Sequence, residues 1–508
     1  MKRPSLVLVT VDCLRADHVG FGGCPRPVTP FLDSLAANSV VFSDAIVAGV
    51  PTYFSFPAIM ASRYPLALGR DVSGIAPHEP TMATALRDAG YTTAAMLAGN
   101  PYLSARFGYD QGFDTFHDFL DSGLSDEAVP ADHSPKNGLS NLNRLVQASS
   151  RRTDLTSAAY DEIYFWYCQW RSARKDLSME TLRRYPAADV IVDRACSWLS
   201  SLGEEPFFLW LHLMDPHHPY YPPEAALSSL SLSNITARRA RFLNSFWNRF
   251  DVGAQRLQRY RSEIVSLYDA GVYWVDRQIS RLLCALQELR RWDETVFAVT
   301  ADHGEEFLEH RLRYHSPTSL PEQLIHVPLL LRAPGLSAAN LSPGPFSLIH
   351  LPPTLLDAVG VPIPDSFQGV SCWDQICEGK LLRQPAITEC VEACHNPFRL
   401  DDRMRPRLMA VRDHVYKLVI NFREKSDYLY DLKNDPGEFA ALPTSVLIGE
   451  RARLLQVARA HFQGVSRNEN AVPRLRARLR ELQHSAGLTQ PQPMESPTRR
   501  QARGPTTL

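Results

Sequence analysis

Nothing in this chain asks for a polyanion, a bilayer or an oxidising compartment. Its charges almost cancel: 54 Lys and Arg against 55 Asp and Glu leave a net charge of −1. Such a balance gives no electrostatic reason to bind nucleic acid or a membrane surface. No apolar run approaches the roughly 20 residues that span a bilayer. The basic start, Met1-Lys2-Arg3, leads into a short apolar run that is soon followed by Asp12, Arg15 and Asp17. A secretory leader has a longer apolar region and a small-residue cleavage site. The segment therefore reads as the first core strand of a cytoplasmic protein. The nine cysteines are odd in number and scattered, which fits reduced thiols better than a disulfide framework. Cys390, Cys394 and His395 have loose metal-like spacing, but no second ligand pair completes a zinc site. There is no internal repeat.

What is present is an ordinary globular composition over 508 residues, 44% hydrophobic and 21% charged. That is enough for a large core and more than one domain. The first 116 residues alternate strand and helix patterns. Helices are expected at 29–38, 57–62 and 81–89, and strands at 6–11, 40–42 and 91–97. Such alternation argues for βαβ units. The pattern weakens over 117–205, read as a largely helical insertion with a mobile start near 126–143. It resumes with a strand at 207–212, a long amphipathic helix at 252–290, strands at 296–300 and 327–331, and a helix at 351–358. Short strands at 408–411, 415–420 and 428–432 suggest a small antiparallel sheet. The expected division is a main domain over 1–385, a small-sheet subdomain over 386–445, a helical tail over 446–490 and a disordered end over 491–508.

Two strand ends carry the strongest chemical signal. The apolar run Leu6 to Val11 ends in Asp12, and Val296 to Thr300 leads into Asp302-His303-Gly304. Adjacent metal-ligand types at strand ends meet most readily at the carboxyl edge of a parallel or mixed sheet. Two further segments offer polar groups. Thr52 lies where a loop enters a helix. His212, Asp215 and His217 follow the strand at 207–212, and His315 stands twelve residues after His303. Glu305 and Glu306 read as supporting or helix-start acids, and His218 and His310 as solvated neighbours.

In this order the segments resemble the sulfatase family of the alkaline-phosphatase superfamily. Val9 to His18 resembles its N-terminal metal segment and Thr29 to Ala36 its first helix. Phe207 to Tyr220 resembles the segment supplying a substrate histidine. Tyr268-Asp269-Ala270 with Val275-Asp276 resembles its long helix, and Thr300 to Glu306 its second metal segment. Tyr416-Lys417 with Leu429 to Glu438 resembles its C-terminal subdomain. The resemblance implies an α/β fold: a mixed, mainly parallel sheet flanked by helices, with a small C-terminal antiparallel sheet. It implies a divalent metal held by Asp12, Thr52, Asp302 and His303. It implies catalytic roles for Thr52, His217 and His315, and substrate contacts from Arg15, Asn100, His212 and Lys417.

The departure is at the nucleophile. Sulfatases carry Cys or Ser in a Cys-x-Pro-x-Arg type motif, oxidised to formylglycine. Here the matching positions are Thr52, Phe54 and Phe56, so formylglycine is not carried over. Thr52, Ser55 and Pro57 resemble instead the relatives that use a threonine alkoxide, the phosphoethanolamine transferases and phosphodiesterases. Metal coordination lowers a hydroxyl pKa and generates that alkoxide. The mixed O/N ligand set suits Zn²⁺ or Mn²⁺ better than the Ca²⁺ of oxygen-rich sites. His217 and His315 would bind non-bridging oxygens, protonate the leaving group, or hold a second metal.

The expected function is a metal-dependent hydrolase cleaving a sulfate or phosphate ester of a small molecule, glycan or lipid headgroup. Phosphomonoesters or phosphodiesters are favoured, because an unmodified alkoxide forms a sulfate ester that no hemiacetal route releases. The rivals are a transferase of the same group, a non-catalytic binding protein on a sulfatase-like scaffold, and a phosphoglycerate-mutase-like or nucleotide-phosphodiesterase relative.

Overall fold

The computed structural model describes residues 3–65, 74–120, 162–170, 177–341, 344–380, 384–391 and 406–466. The expected mobile start at 126–143, the end at 491–508, and Cys394 with His395 lie outside them. The eight cysteines among the described residues are all free thiols. Among the same residues, no helix is long and apolar enough to cross a membrane.

The core is a sheet of eight strands. Across it run Ala339–Leu341, Val40–Phe42, Leu329–Arg332, Thr295–Ala301, Ser5–Val11, Phe207–Leu213, Thr92–Leu97 and Thr115–His117. The three middle strands, Thr295–Ala301, Ser5–Val11 and Phe207–Leu213, are buried along their whole length. Near-continuous apolar runs are what a strand covered on both faces requires. Five neighbouring strands from Thr295–Ala301 to Thr115–His117 pair parallel. Leu329–Arg332 runs antiparallel to both of its neighbours. Two sets of helices cover the sheet. One centres on Arg261–Glu288 with Ala188–Ser200 and Pro30–Ala36; the other holds Thr52–Ala61, Met82–Asp88 and Leu351–Ala358.

A separate four-stranded antiparallel sheet follows, ordered Ala386–Val391, Pro406–Arg412, Tyr416–Asn421 and Ser426–Asp431. The helix Ile448–Ser466 lays Leu454 and Ala458 onto its Met409, Val411, Leu418 and Leu429.

Three local features differ from the sequence reading. The helix expected from residue 57 begins at Thr52 and carries Pro57 inside it. A proline interior to a helix loses one backbone bond, but all ten residues of this helix are buried, and packing outweighs propensity. The long helix is broken: Ala254–Leu257 is separated from Arg261–Glu288 by a 3₁₀ turn. There Tyr260 packs edge-on against Phe242 and Phe246, at ring separations of 5.5 and 4.9 Å. Finally, residues 188–200, read as the end of an insertion, form a helix that buries Ile191, Val192, Ala195 and Leu199 in the main core.

Candidate active site

Strand register builds the site. Val11 pairs with Ala301 on one side and with Leu213 on the other. Asp12 and Asp302 therefore leave the carboxyl edge of the sheet side by side. The turn after Asp302 needs Gly304: a Cβ there would lie 1.9 Å from the carbonyl oxygen of Gln323. With glycine the chain folds close enough for Gly304 N–H to donate to Leu324 O at 2.9 Å.

That turn also sets the His303 tautomer. Its Nδ1–H donates to Gly304 O at 2.9 Å, so Nε2 carries the lone pair. Nε2 accepts from the Thr52 hydroxyl at 3.1 Å. It stands 3.5 Å from Asp302 Oδ2 and 3.9 Å from Asp12 Oδ1. Thr52, at the first residue of its helix, is 4% exposed, and Asp12, Asp302 and His303 are fully buried.

Asp12 is held by two groups that sequence reading placed on the substrate. Asn100 Nδ2 donates to Asp12 Oδ2 at 3.1 Å. His212 Nε2 lies 3.3 Å from the same oxygen. Its Nδ1 is 3.0 Å from Thr10 Oγ1, which itself accepts from Trp210 Nε1–H. Both residues thus orient a carboxylate.

Asp302 differs. Its Oδ1 accepts from the backbone N–H of His303 at 3.0 Å, whereas its buried Oδ2 has no hydrogen-bond partner among the described residues. Burial and the neighbouring Asp12 charge push the Asp302 carboxyl above its usual range. Two buried carboxylates, an imidazole nitrogen and a hydroxyl converge here, with one carboxylate oxygen unpartnered among the described residues. This donor set fits a divalent cation.

A row of imidazoles forms one side of the site. Ring centroids of His303 and His315 are 4.5 Å apart, of His315 and His217 5.1 Å, and of His217 and His218 4.5 Å. His218, read as a solvated neighbour, is packed against Tyr314 at 4.2 Å. Glu305 braces the row: its Oε2 accepts from His315 Nδ1 at 2.8 Å and its Oε1 from the Tyr220 hydroxyl at 2.5 Å. Burial opposes a charge on either partner. Even so, the pairing holds the Glu305 carboxyl down at about 2 and raises His315 above its usual value. Burial lowers His217.

The structure does not bring Arg15 or Lys417 into this cluster. The Arg15 guanidinium is engaged by Asp17, Glu309 and the carbonyl of Glu305. The Lys417 ammonium is fully buried between Glu322, at 3.2 Å, and Glu438, at 2.8 Å. Both cations brace loops where the sequence reading set them against substrate.

Cys13 is the residue that sequence reading passed over. It is fully buried, in a left-handed conformation at φ 62°. Its Sγ lies 3.1 Å from Asp12 Oδ1 and 3.4 Å from His315 Nδ1. Its place directly after Asp12 was the only sequence signal available.

Comparison with known proteins identifies the family and the fold. The sulfatase family model matches residues 4–361, and the model for the C-terminal region of N-sulphoglucosamine sulphohydrolase matches residues 309–446. Arylsulfatase K of Bos taurus is 29% identical over 286 residues, covering 48% of this chain and 50% of that protein. The match therefore spans about half of that relative's length. Among solved structures, the phosphonate monoester hydrolase of Silicibacter pomeroyi superposes with a TM-score of 0.65 at 18% identity, covering 92% of this chain and 96% of the other. The complex of BT4656 with its substrate D-glucosamine-2-N,6-O-disulfate superposes at 0.62 with 17% identity, covering 92% and 99%. These two likenesses establish the fold: a mixed, mainly parallel sheet flanked by helices, with a small antiparallel C-terminal sheet. With the family model covering well over half its length, the chain belongs to the sulfatase family.

Proposed function

We propose that the protein is a hydrolase of sulfate or phosphate esters that uses Thr52 as nucleophile, with phosphate monoesters or diesters favoured. One observation carries the reading: the Thr52 hydroxyl stands 3.1 Å from His303 Nε2, beside Asp12 and Asp302 at the carboxyl edge of the sheet. Asp12, Thr52, Asp302 and His303 would hold a divalent cation, Mn²⁺, Zn²⁺ or Ca²⁺. When bound, that cation would ease deprotonation of the hydroxyl and offset charge on the transferring group.

The chain's own residues supply the rest. Thr52 is fixed by the first turn of a buried helix, so its oxygen is positioned before substrate arrives. Attack on phosphorus or sulfur expels the alcohol and leaves the group esterified to Thr52; water then releases it. His217 and His315, half-buried in the imidazole row, would hold the non-bridging oxygens of the group. Asn100 and His212 keep Asp12 in place and leave the reacting atoms alone. The phosphate preference rests on chemistry: a threonine sulfate ester lacks the hemiacetal route by which a formylglycine adduct breaks down. The phosphonate monoester hydrolase neighbour and the arylsulfatase relatives support the two ester classes respectively. A sulfated sugar, as bound by one structural neighbour, is of the size class expected.

The test is turnover of matched aryl sulfate, phosphate monoester and phosphate diester substrates with each metal in turn, for the native chain and Thr52→Ala. Metal-dependent turnover abolished in Thr52→Ala, with a covalent adduct detected on the Thr52 peptide, is the expected result. Full turnover in Thr52→Ala would overturn it.

A further inference from the structure

We infer that the helix over residues 162–170, with the arginine-rich segment it packs on, is a docking surface for a membrane that carries anionic lipid. It lies beside the imidazole row, so a docked membrane would present the ester as a lipid headgroup. That last step rests on the ester-hydrolase reading; the docking surface does not.

Ile163, Trp166, Tyr167 and Trp170 recur at i, i+3, i+4 and i+7, the spacing of an apolar stripe that a surface helix normally turns to the core. Here the stripe faces out: the four residues are 47–70% exposed. The opposite side holds the helix down. Phe165 is buried against Phe242 and Phe246, at ring separations of 5.9 and 5.7 Å, with the Arg249 guanidinium over its ring at 4.8 Å. Glu162 pairs with Arg249 at 2.8 Å and with Arg256 at 3.1 Å. Trp166 stacks on Phe242 at 5.7 Å, which fixes its ring although half of the residue is exposed. Phe250, 87% exposed, extends the surface toward the candidate site. The Arg313 guanidinium lies over its ring at 5.6 Å and donates to Arg249 O at 3.2 Å. The next two residues are Tyr314, packed on His218, and His315.

An exposed apolar stripe marks an interaction surface, and charge names its occupant. Residues 237–263 hold seven arginines against two acids, an excess that the whole-chain net charge of −1 conceals. Trp and Tyr seat at the headgroup level of a bilayer, and arginines beside them attract anionic lipid. A second copy docked face to face would set arginine against arginine. A sugar would stack on the rings but leave Ile163 without a role.

The test sediments the full chain with vesicles of phosphatidylcholine alone, and of phosphatidylcholine and phosphatidylserine in equal parts, at low and high salt. The native chain should bind the mixed vesicles and not the neutral ones, and salt should weaken the binding. Ile163→Ser and Phe250→Ser should each weaken it about tenfold, and Arg259→Glu should weaken it as well. Native-like melting curves confirm that these exposed substitutions leave the fold intact. The serine variants should hydrolyse a water-soluble ester at the native rate. Thr52→Ala should bind vesicles as the native chain does, since capture needs no turnover. No binding to the mixed vesicles, or binding unchanged in both serine variants, overturns the docking surface and leaves the Thr52 reading standing. A dimer that the serine variants dissociate, with no vesicle binding, overturns it in favour of a second copy. Vesicle binding as expected, with no turnover of any ester, keeps the surface and overturns the ester reading alone.

Discussion

Asp12 and Asp302 stand together because Val11 and Ala301 are partners on adjacent parallel strands. The relationship is close enough to raise Asp302: burial acts first, and the Asp12 charge adds to it. Two carboxylates in one buried place are unfavourable until a cation shares them.

Asp302→Asn should therefore have opposite effects with and without metal. In chelator it removes the like-charge conflict, and the variant should unfold at a higher temperature than the native chain. With saturating Zn²⁺ or Mn²⁺ the order should reverse, since an ion at a hundredfold excess over its Kd stabilises the native chain by about 2.7 kcal/mol. Melting curves with and without chelator check both signs. Midpoints indifferent to added cation in both proteins would contradict the metal site.

Asn100→Ala should weaken metal binding by about 10–100-fold, the usual effect of losing a group that orients a ligand. Asn100 donates to Asp12 at 3.1 Å and its Oδ1 caps the turn Pro101–Leu103 by accepting from Tyr102 N–H at 3.0 Å, so its removal should also cost about 1 kcal/mol of stability in chelator. Titration with a competing chelator measures the Kd. A variant that keeps native metal affinity but shows a raised KM would return Asn100 to the substrate.

Thr52 and Ser55 share a helix one turn apart, and both hydroxyls are buried. Only Thr52 has a partner in the cluster; Ser55 Oγ has none among the described residues. Thr52→Ala should cost at least about 10³-fold in kcat, while Thr52→Ser should retain measurable turnover. Ser55→Ala should keep native kcat and gain about 1 kcal/mol, because a buried hydroxyl without a partner is removed. Loss of turnover in Ser55→Ala would move the nucleophile one turn along the helix.

Lys417→Met should destabilise the fold by about 3–5 kcal/mol, since it takes the buried cation from Glu438 and leaves Glu322 with Arg412 alone. Metal affinity should be unchanged. Urea unfolding together with a metal titration tests this. A stable variant with a raised KM would instead mark Lys417 as a substrate contact.

The same network sets an acid limit. Burial opposes the Glu322 charge, but Lys417 and Arg412 hold its carboxyl down at about 2, from a usual 4.5. A depressed carboxyl contributes stability that is present above its unfolded pKa and is lost as pH falls through its folded one. Stability should thus decline from about pH 4.5 toward pH 2. Glu438, raised by burial, works against this from higher pH. Glu322→Gln should flatten the decline between those limits in unfolding curves taken across the range. An unaltered slope would show that other carboxylates set the acid limit.

The amino-acid sequence by itself determined the sheet and its chemical edge. Buried parallel strands must be apolar along their length, so Leu6 to Val11, Phe207 to Leu211 and Val296 to Thr300 announced themselves, and the Asp and His at their ends marked where ligands gather. The glycine after Asp302-His303 was equally legible, because only glycine tolerates the backbone of residue 323 at that distance. The tertiary structure decided which polar groups meet. His212 turns to Asp12 because its strand lies beside Ser5–Val11, and Asn100 because the turn that follows Thr92–Leu97, one strand further out, brings its amide to the same carboxylate. Arg15 and Lys417 turn away because a buried cation settles on the nearest carboxylates, which here are Asp17, Glu309, Glu322 and Glu438. Cys13 enters the site because its left-handed backbone swings Sγ toward His315. Side-chain direction at a strand end depends on such a dihedral and on what packs against it, and neither is written in local spacing.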